Sequence, residues 1–455
     1  MRKFLFKSVI IVILFLMVFS TPVNSVTIKD LDEEKNFFKI TKKDGRFFFL
    51  DPNDQLFYST GMGSISATKG HSPALGYSEY HKNILEKYGN EEQWANITHK
   101  RLTDWGFNSL GGSGRYIRDT NMNYTVHLGL ACDDWITGEI ADYFSNEWIN
   151  KVDNKCKNKI VNVSNDTKLI GYFLDNEIHW GSDWRSLLDI FDIYMKCDSD
   201  SPGKIRLVDF LKHRYENNIS KFNLAWRTNL NDFDEIFHKK ILGIWPYTIE
   251  ARNDHNDFLY VVSEQFFRVC YEKIRKYDKN HLILGARFQS YMTPRKVVEA
   301  CKGYVDVVSV NHYPSRLVLR PIWFIFQDII GFARPTKNLE EFYKLTDKPV
   351  LISEIYFRAK DSGLPNTKPS NIFMPVYRTQ RGRSIAAEYV LKNFIKEPYS
   401  VGYHWFGYSD QPKTGRFDGE NSNNGLVDVN DEPYDFLIKR LTKVNRYAES
   451  FTINN

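Results

Sequence analysis

Short apolar runs that end in polar or aromatic residues recur along the chain, and longer stretches with apolar residues every three or four positions lie between them. Eight such runs stand out: Phe57–Gly61, Phe107–Gly111, Tyr124–Leu130, Leu169–Leu174, Leu282–Phe288, Val305–Val310, Pro349–Ile352 and Val401–Phe406. Runs of this length predict buried strands, and the longer period predicts amphipathic helices. One helix is read from Leu259, Val262, Phe266, Val269, Lys273 and Tyr277, ending at Asp278-Lys279-Asn280 before the fifth run. Strands alternating with helices imply a parallel sheet, and eight of them predict an α/β fold of the closed (β/α)8 TIM-barrel type. A doubly wound open sheet would carry a Gly-rich phosphate loop after its first strand. Gly61-Met62-Gly63-Ser64 is too short a signal for that.

The N-terminus departs from this alternation. Arg2, Lys3 and Lys7 precede an apolar run from Val9 to Phe19 and then Val23-Asn24-Ser25, the layout of a secretory signal over residues 1–25. Residues 26–54 read as an N-terminal segment and residues 55–455 as one catalytic domain, because Pro and Gly are scattered and do not gather into a linker. The expected destination is extracellular, with no membrane contact once the signal is removed. Net charge is +5, and loss of the three basic residues of the signal leaves about +2, a balance that points away from nucleic acid. The five cysteines are widely spaced and lack metal-ligand spacing, so one or two disulfides with a free thiol is an open arrangement. Sequons stand at Asn96, Asn123, Asn162, Asn165 and Asn218.

A barrel exposes its chemistry where its strands end. After the fourth run the chain reads Gly171-Tyr-Phe-Leu-Asp-Asn-Glu177, and the seventh leads into Ser353-Glu354. A lone strand-end glutamate is usually a solvated or salt-bridged residue. Two of them at separate strand ends match glycoside hydrolysis, which needs one protonated carboxyl and one carboxylate. Asp175, two residues earlier on the same side, is read as a structural hydrogen-bonding residue. His179 and Trp180 follow the first glutamate and are placed on the leaving-group side. Arg287 ends the fifth run, either binding sugar hydroxyls or pairing with an acid. Asp410, Gln411, Arg416 and Asp418 follow the eighth run as a polar rim, each with loop ordering as the plainer role. No HExxH motif and no His/Asp cluster of ligand spacing calls for a metal, no GxSxG elbow calls for a serine hydrolase, and no cofactor is expected.

Asp175-Asn176-Glu177 and Ser353-Glu354 resemble the catalytic signatures of clan A glycoside hydrolases. The fuller strings Gly171–Gly181 and His404–Glu420 resemble the β-agarases of glycoside hydrolase family 50. That resemblance covers most of residues 55–440 and implies a retaining hydrolase of a galactose-containing poly- or oligosaccharide. Glu177 would be the acid/base and Glu354 the nucleophile. Asn176 would bond the sugar 2-hydroxyl, Tyr313 of Asn311-His312-Tyr313 would steady the nucleophile with His312 beside it, and Trp405 would floor the glycone subsite. Those agarases usually carry a β-rich module before the barrel, whereas about thirty mature residues precede the first strand here. The runner-up is an exo-acting β-galactosidase or related β-glycosidase on short oligosaccharides. A reading of another class is an inactive barrel that only binds carbohydrate.

Overall fold

Every predicted run overlaps a strand, and in a computed structural model all of them join one curled parallel sheet within a mixed α/β fold. The structure describes residues 36–111, 121–243, 246–314, 335–367 and 374–453. The predicted signal, residues 1–25, lies outside them. Residues 37–455 cluster as one compact unit.

The chain enters through an antiparallel sheet of β1 (Lys39–Lys43), β2 (Arg46–Leu50) and β3 (Leu56–Phe57). The parallel sheet follows: β4 (Ser59–Gly63), β5 (Ser109–Gly111), β6 (Asn123–His127), β7 (Leu169–Phe173), β8 (Leu282–Ile283), β9 (Phe288–Gln289), β10 (Val308–Asn311), β11 (Val350–Ile355) and β12 (Ser400–Phe406). Its order is β8-β7-β6-β5-β4-β12-β11-β10-β9. The two ends of that order, β8 and β9, belong to one stretch of chain, residues 282–289. The stretch reaches both neighbours: Leu284 N–H donates to Tyr172 O at 2.8 Å, and Asp306 N–H donates to Ile283 O at 2.9 Å. Parallel strands leave no room for tight hairpins, so helices fill the connections.

The helices begin where the chemistry of capping demands. Ser78, Asn90, Ser145, Thr248 and Thr379 each accept a bond from a backbone N–H in the first turn that follows. The helix read from residues 259–277 runs from Ile249 to Tyr277 and buries Phe258, Val262, Phe266, Val269 and Ile274. At its end Asp278 accepts from Tyr172 Oη at 2.6 Å, which ties the helix to β7.

Two apolar layers result, one between sheet and helices and one inside the curl. The inner layer contains Ile170, Phe173, Leu282, Leu284, Val307, Leu351 and Val401, joined by Phe38 and Phe49. The N-terminal hairpin therefore closes the end of the curl from which the strands start. Near the other end His404 fills the interior; a Cβ at Gly61 or Gly111 would stand 2.1 or 2.6 Å from its ring, so these neighbouring strands pass only as glycine. All five cysteines are free thiols, and no helix among the described residues is long and apolar enough to cross a membrane. Asn96, Asn162, Asn165 and Asn218 are exposed, whereas Asn123 is half-buried at the start of β6.

Candidate active site

Because the strands run parallel, the residues that follow them share one rim, and two carboxyl groups meet there. Glu354 lies on β11 and is 6% exposed. Its Oε1 accepts from Arg287 Nη2 at 2.5 Å, and its Oε2 accepts from the hydroxyl of Tyr313. Both oxygens are engaged as acceptors, the role a carboxylate fills. Glu177 follows β7. Burial, reinforced by the negative charge of Glu354, pushes its carboxyl up to about 7. One carboxyl is thus disposed to hold a proton and the other is surrounded by donors.

Asn311, the last residue of β10, joins the two halves. Its Nδ2 donates to Glu177 Oε1 at 2.9 Å and to Asn176 Oδ1 at 3.0 Å, and its Oδ1 accepts from Ser353 Oγ at 2.8 Å. One buried amide therefore sets the orientation of Asn176 and of Glu177 while anchored beside Glu354. The backbone takes part as well. Glu177 and Arg287 both sit at φ 49°, and Glu177 N–H donates to Arg287 O at 3.3 Å. A left-handed conformation in non-glycine residues costs about 1–3 kcal/mol each and gathers at functional sites.

Asp175 is a structural anchor: its Oδ2 accepts from Ala131 N–H at 2.6 Å and its Oδ1 from Asn176 N–H at 2.8 Å. Beside Glu177 opens a cavity of about 150 Å³, lined in part by Cys132, Asp133, Trp135 and Arg185. Burial, with Asp175 nearby, pushes the Asp133 carboxyl up to about 7. Trp135 stands edge-on to Trp184 and Phe417, both largely exposed, so three aromatic rings from different loops gather at this side of the rim. Residues of β6's loop were overlooked in the sequence because their aromatic and acidic side chains lie several positions past the apolar run.

The structure brings together Asn176, Glu177, Arg287, Tyr313 and Glu354, and it corrects the expected positions of others. Trp405 is wholly buried on the helix side of the sheet, with Nε1 donating to Asn424 O at 2.9 Å, so it floors no subsite. Alternation along β12 is the reason: Tyr403 and Trp405 face the helices, His404 faces inward, and Phe406 takes the half-exposed position at the rim. Trp180 packs in the core against Phe266 and Phe267. His179 does border the cavity beside Glu177, and its ring, Nδ1 3.2 Å from Asp183 and Nε2 3.2 Å from Leu188 O, also holds the loop after β7. His312 is buried and stacked on Tyr291. Asp410 accepts from Gly425 N–H, Asn423 and Tyr434, and Gln411 donates to Glu420. Asp418 pairs with Arg416 at 2.7 Å. These last three order their own loop. Among the described residues, Asp189, Asp192 and His255 lie close enough together to hold an ion, but Asp189 caps a helix and accepts from His255 Nδ1 at 2.7 Å.

Comparison with known proteins follows the same lines. No family model matches the chain. It is 27% identical to Beta-agarase B of Vibrio sp. (strain JT0107), over 90% of its own length and 48% of that protein's. It is 28% identical to Beta-agarase A of the same strain, over 82% of its length and 38% of that protein's. The chain thus spans less than half the length of these curated relatives. Among solved structures it superposes on the agarase AgWH50C with a TM-score of 0.75 at 23% identity, covering 92% of this chain and 65% of that one. An exo-beta-agarase gives a TM-score of 0.76 at 24% identity, covering 92% and 65%. At those identities the structural likeness bears on the fold alone.

Proposed function

We propose that this protein is a retaining β-glycoside hydrolase that cleaves an agarose-type galactan by double displacement. In this reading the curled sheet is a (β/α)8 barrel closed through residues 282–289, residues 55–455 are its catalytic domain, and residues 1–25 direct secretion. The observation that carries it is the unequal pair: Glu177, kept protonated by burial, and Glu354, held by Arg287 and Tyr313. Similarity to two beta-agarases supplies the substrate class.

Glu177 gives its proton to the glycosidic oxygen as Glu354 attacks the anomeric carbon, and the bond to the leaving sugar breaks. As the covalent ester forms, the negative charge of Glu354 is lost, and that of Glu177 appears where Asn311 donates a hydrogen bond. Water, deprotonated by Glu177, then releases the sugar. Asn176, oriented by Asn311, faces the 2-hydroxyl.

Glu354→Gln should lower turnover of agarose by at least about a thousandfold while leaving sugar binding intact. Mass detection of a trapped glycosyl enzyme on Glu354 checks the nucleophile. Unchanged sugar release in this variant would remove the assignment. Release of monosaccharide from aryl β-galactosides, with agarose left uncut, would select the exo-acting galactosidase, and binding without any turnover would leave a carbohydrate-binding barrel.

A further inference from the structure

Lys69 follows β4, and its ammonium is buried without a hydrogen-bond partner among the described residues. Its loop is fixed from the other side, where Lys69 O accepts from Ser78 Oγ, the same oxygen that caps the helix Glu79–Tyr88. The ammonium lies over Gly407, just past β12: a Cβ built there would stand 2.0 Å from Nζ, so the lysine tip occupies the space that any larger residue would take. Asn424 borders the same glycine, its Nδ2 lying 3.7 Å from that Cβ position. Asn424 is wholly buried, and both polar atoms of its amide also lack a partner among the described residues. Two unmatched polar groups thus converge over one backbone position shaped to admit them.

Leaving such groups unmatched is costly. A buried ammonium or amide without hydrogen bonds has given up its solvation with nothing in exchange. The Phe406 ring, 5.0 Å from Nζ, offsets only part of this. Burial pulls the Lys69 ammonium down to about 7; Arg416 adds to this, while Glu354, Asp410 and Glu420 oppose it. The place is also next to the chemistry. β12 pairs with β11, which carries Glu354, and lies four strands from β7, which leads to Glu177.

We infer that Lys69 and Asn424 form a hydroxyl-recognition site for the sugar held beside Glu354, at the part of the rim remote from the acid. The donor set selects a neutral hydroxyl. Lys69 Nζ and Asn424 Nδ2 donate and Asn424 Oδ1 accepts, all three unmatched among the described residues, and a hydroxyl is the neutral group that can accept from a donor of this set and donate to Oδ1. A sulfate or carboxylate substituent has no proton to give and would meet the negative charges of Glu354, Asp410 and Glu420. Arg416, the nearby cation, is already paired with Asp418 and Glu420. This inference rests on the glycoside hydrolase reading and adds to it a residue pair that chooses among sugars.

The test uses the full chain carrying Glu354→Gln, so that binding is read without turnover. Calorimetry measures its affinity for a β-galactose-terminated agaro-oligosaccharide and for the analogues that lack one hydroxyl each on the sugar at the cleaved bond. Lys69→Met and Asn424→Ala, each added separately, should weaken the parent about 10–100-fold. Both should leave the affinity of one deoxy analogue, the same for the two variants, nearly as it was. Equal loss across all analogues, no loss, or different hydroxyls for the two variants would overturn the inference. So would tighter binding of a sulfated sugar that Lys69→Met abolishes. Thermal melts confirm that the variants fold, and Asn424→Ala removes no side-chain hydrogen bond made among the described residues. Wild-type turnover of agarose is scored in parallel: if it occurs while the two variants bind normally, only this inference fails. Absence of both turnover and sugar binding removes the hydrolase reading and the inference with it.

Discussion

At the scale of single residues the site is an arrangement for separating two acids. Glu177 is half-buried, with desolvation of its carboxyl and the like charge of Glu354 pushing it up to about 7, so its proton is retained up to about that pH. In the proposed reaction it must be protonated for the first step, so kcat/KM should fall above about pH 7, a limb expected to disappear in Glu177→Gln when substrates with good leaving groups are used. The same shift affects stability. The folded state holds a proton that the unfolded chain releases near 4.5, so folding loses stability as pH rises through the interval from about 4.5 to 7. Glu177→Gln should therefore be more stable than the wild type at pH 8, by up to about 3 kcal/mol, with the difference vanishing near pH 4. Melting temperatures at the two pH values check this. A gain of equal size at both would mean that the side chain costs stability for some reason other than its charge.

Elements decide which side chains reach each other. Three strand ends meet at Asn311: β7 supplies the route to Asn176 and Glu177, β10 carries the amide itself, and β11 brings Ser353 and Glu354. Removing the amide takes away a bond that stabilises ionised Glu177. Asn311→Ala should move the alkaline limb of the rate profile to higher pH and lower kcat/KM about 10–100-fold. A lowered rate with an unmoved limb would assign Asn311 to packing alone. Alternation along β12 makes the opposite point for Trp405. Trp405→Phe should reduce stability by about 1–3 kcal/mol, by urea denaturation, and leave KM unchanged, whereas Phe406→Ala should raise KM. The strands were legible because each is an apolar run of the right length. Which face a residue occupies depends on where the strand begins its alternation, and a stretch such as Tyr403-His404-Trp405-Phe406 is aromatic on both faces.

For the whole molecule, the N-terminal hairpin contributes to the core at the end of the curl opposite the rim. Phe38 and Phe49 are wholly buried in the inner layer with residues from β7, β8, β11 and β12. Phe49→Ala should cost about 3–5 kcal/mol of stability while leaving KM at moderate temperature near its original value. A stable variant with weakened substrate binding would mean that the hairpin shapes the rim. The nine-stranded sheet, whose ends share residues 282–289, brings residues from β4's loop and from β12's loop together around Gly407. Lys69 and Asn424 are separated by most of the chain and become neighbours only there.

Sequence by itself determined the alternation of strand and helix, the two glutamates at strand ends and the company of Asn176 and Tyr313, because these depend on local periodicity and on residues adjacent to an apolar run. The tertiary structure decided what lies between distant segments. It placed Arg287 on Glu354, Asn311 between the two acids, Trp405 and Trp180 in the core, and Lys69 over Gly407. Burial, pairing and the resulting proton affinities depend on neighbours far along the chain, and those neighbours are set by strand order and face, which no local pattern encodes.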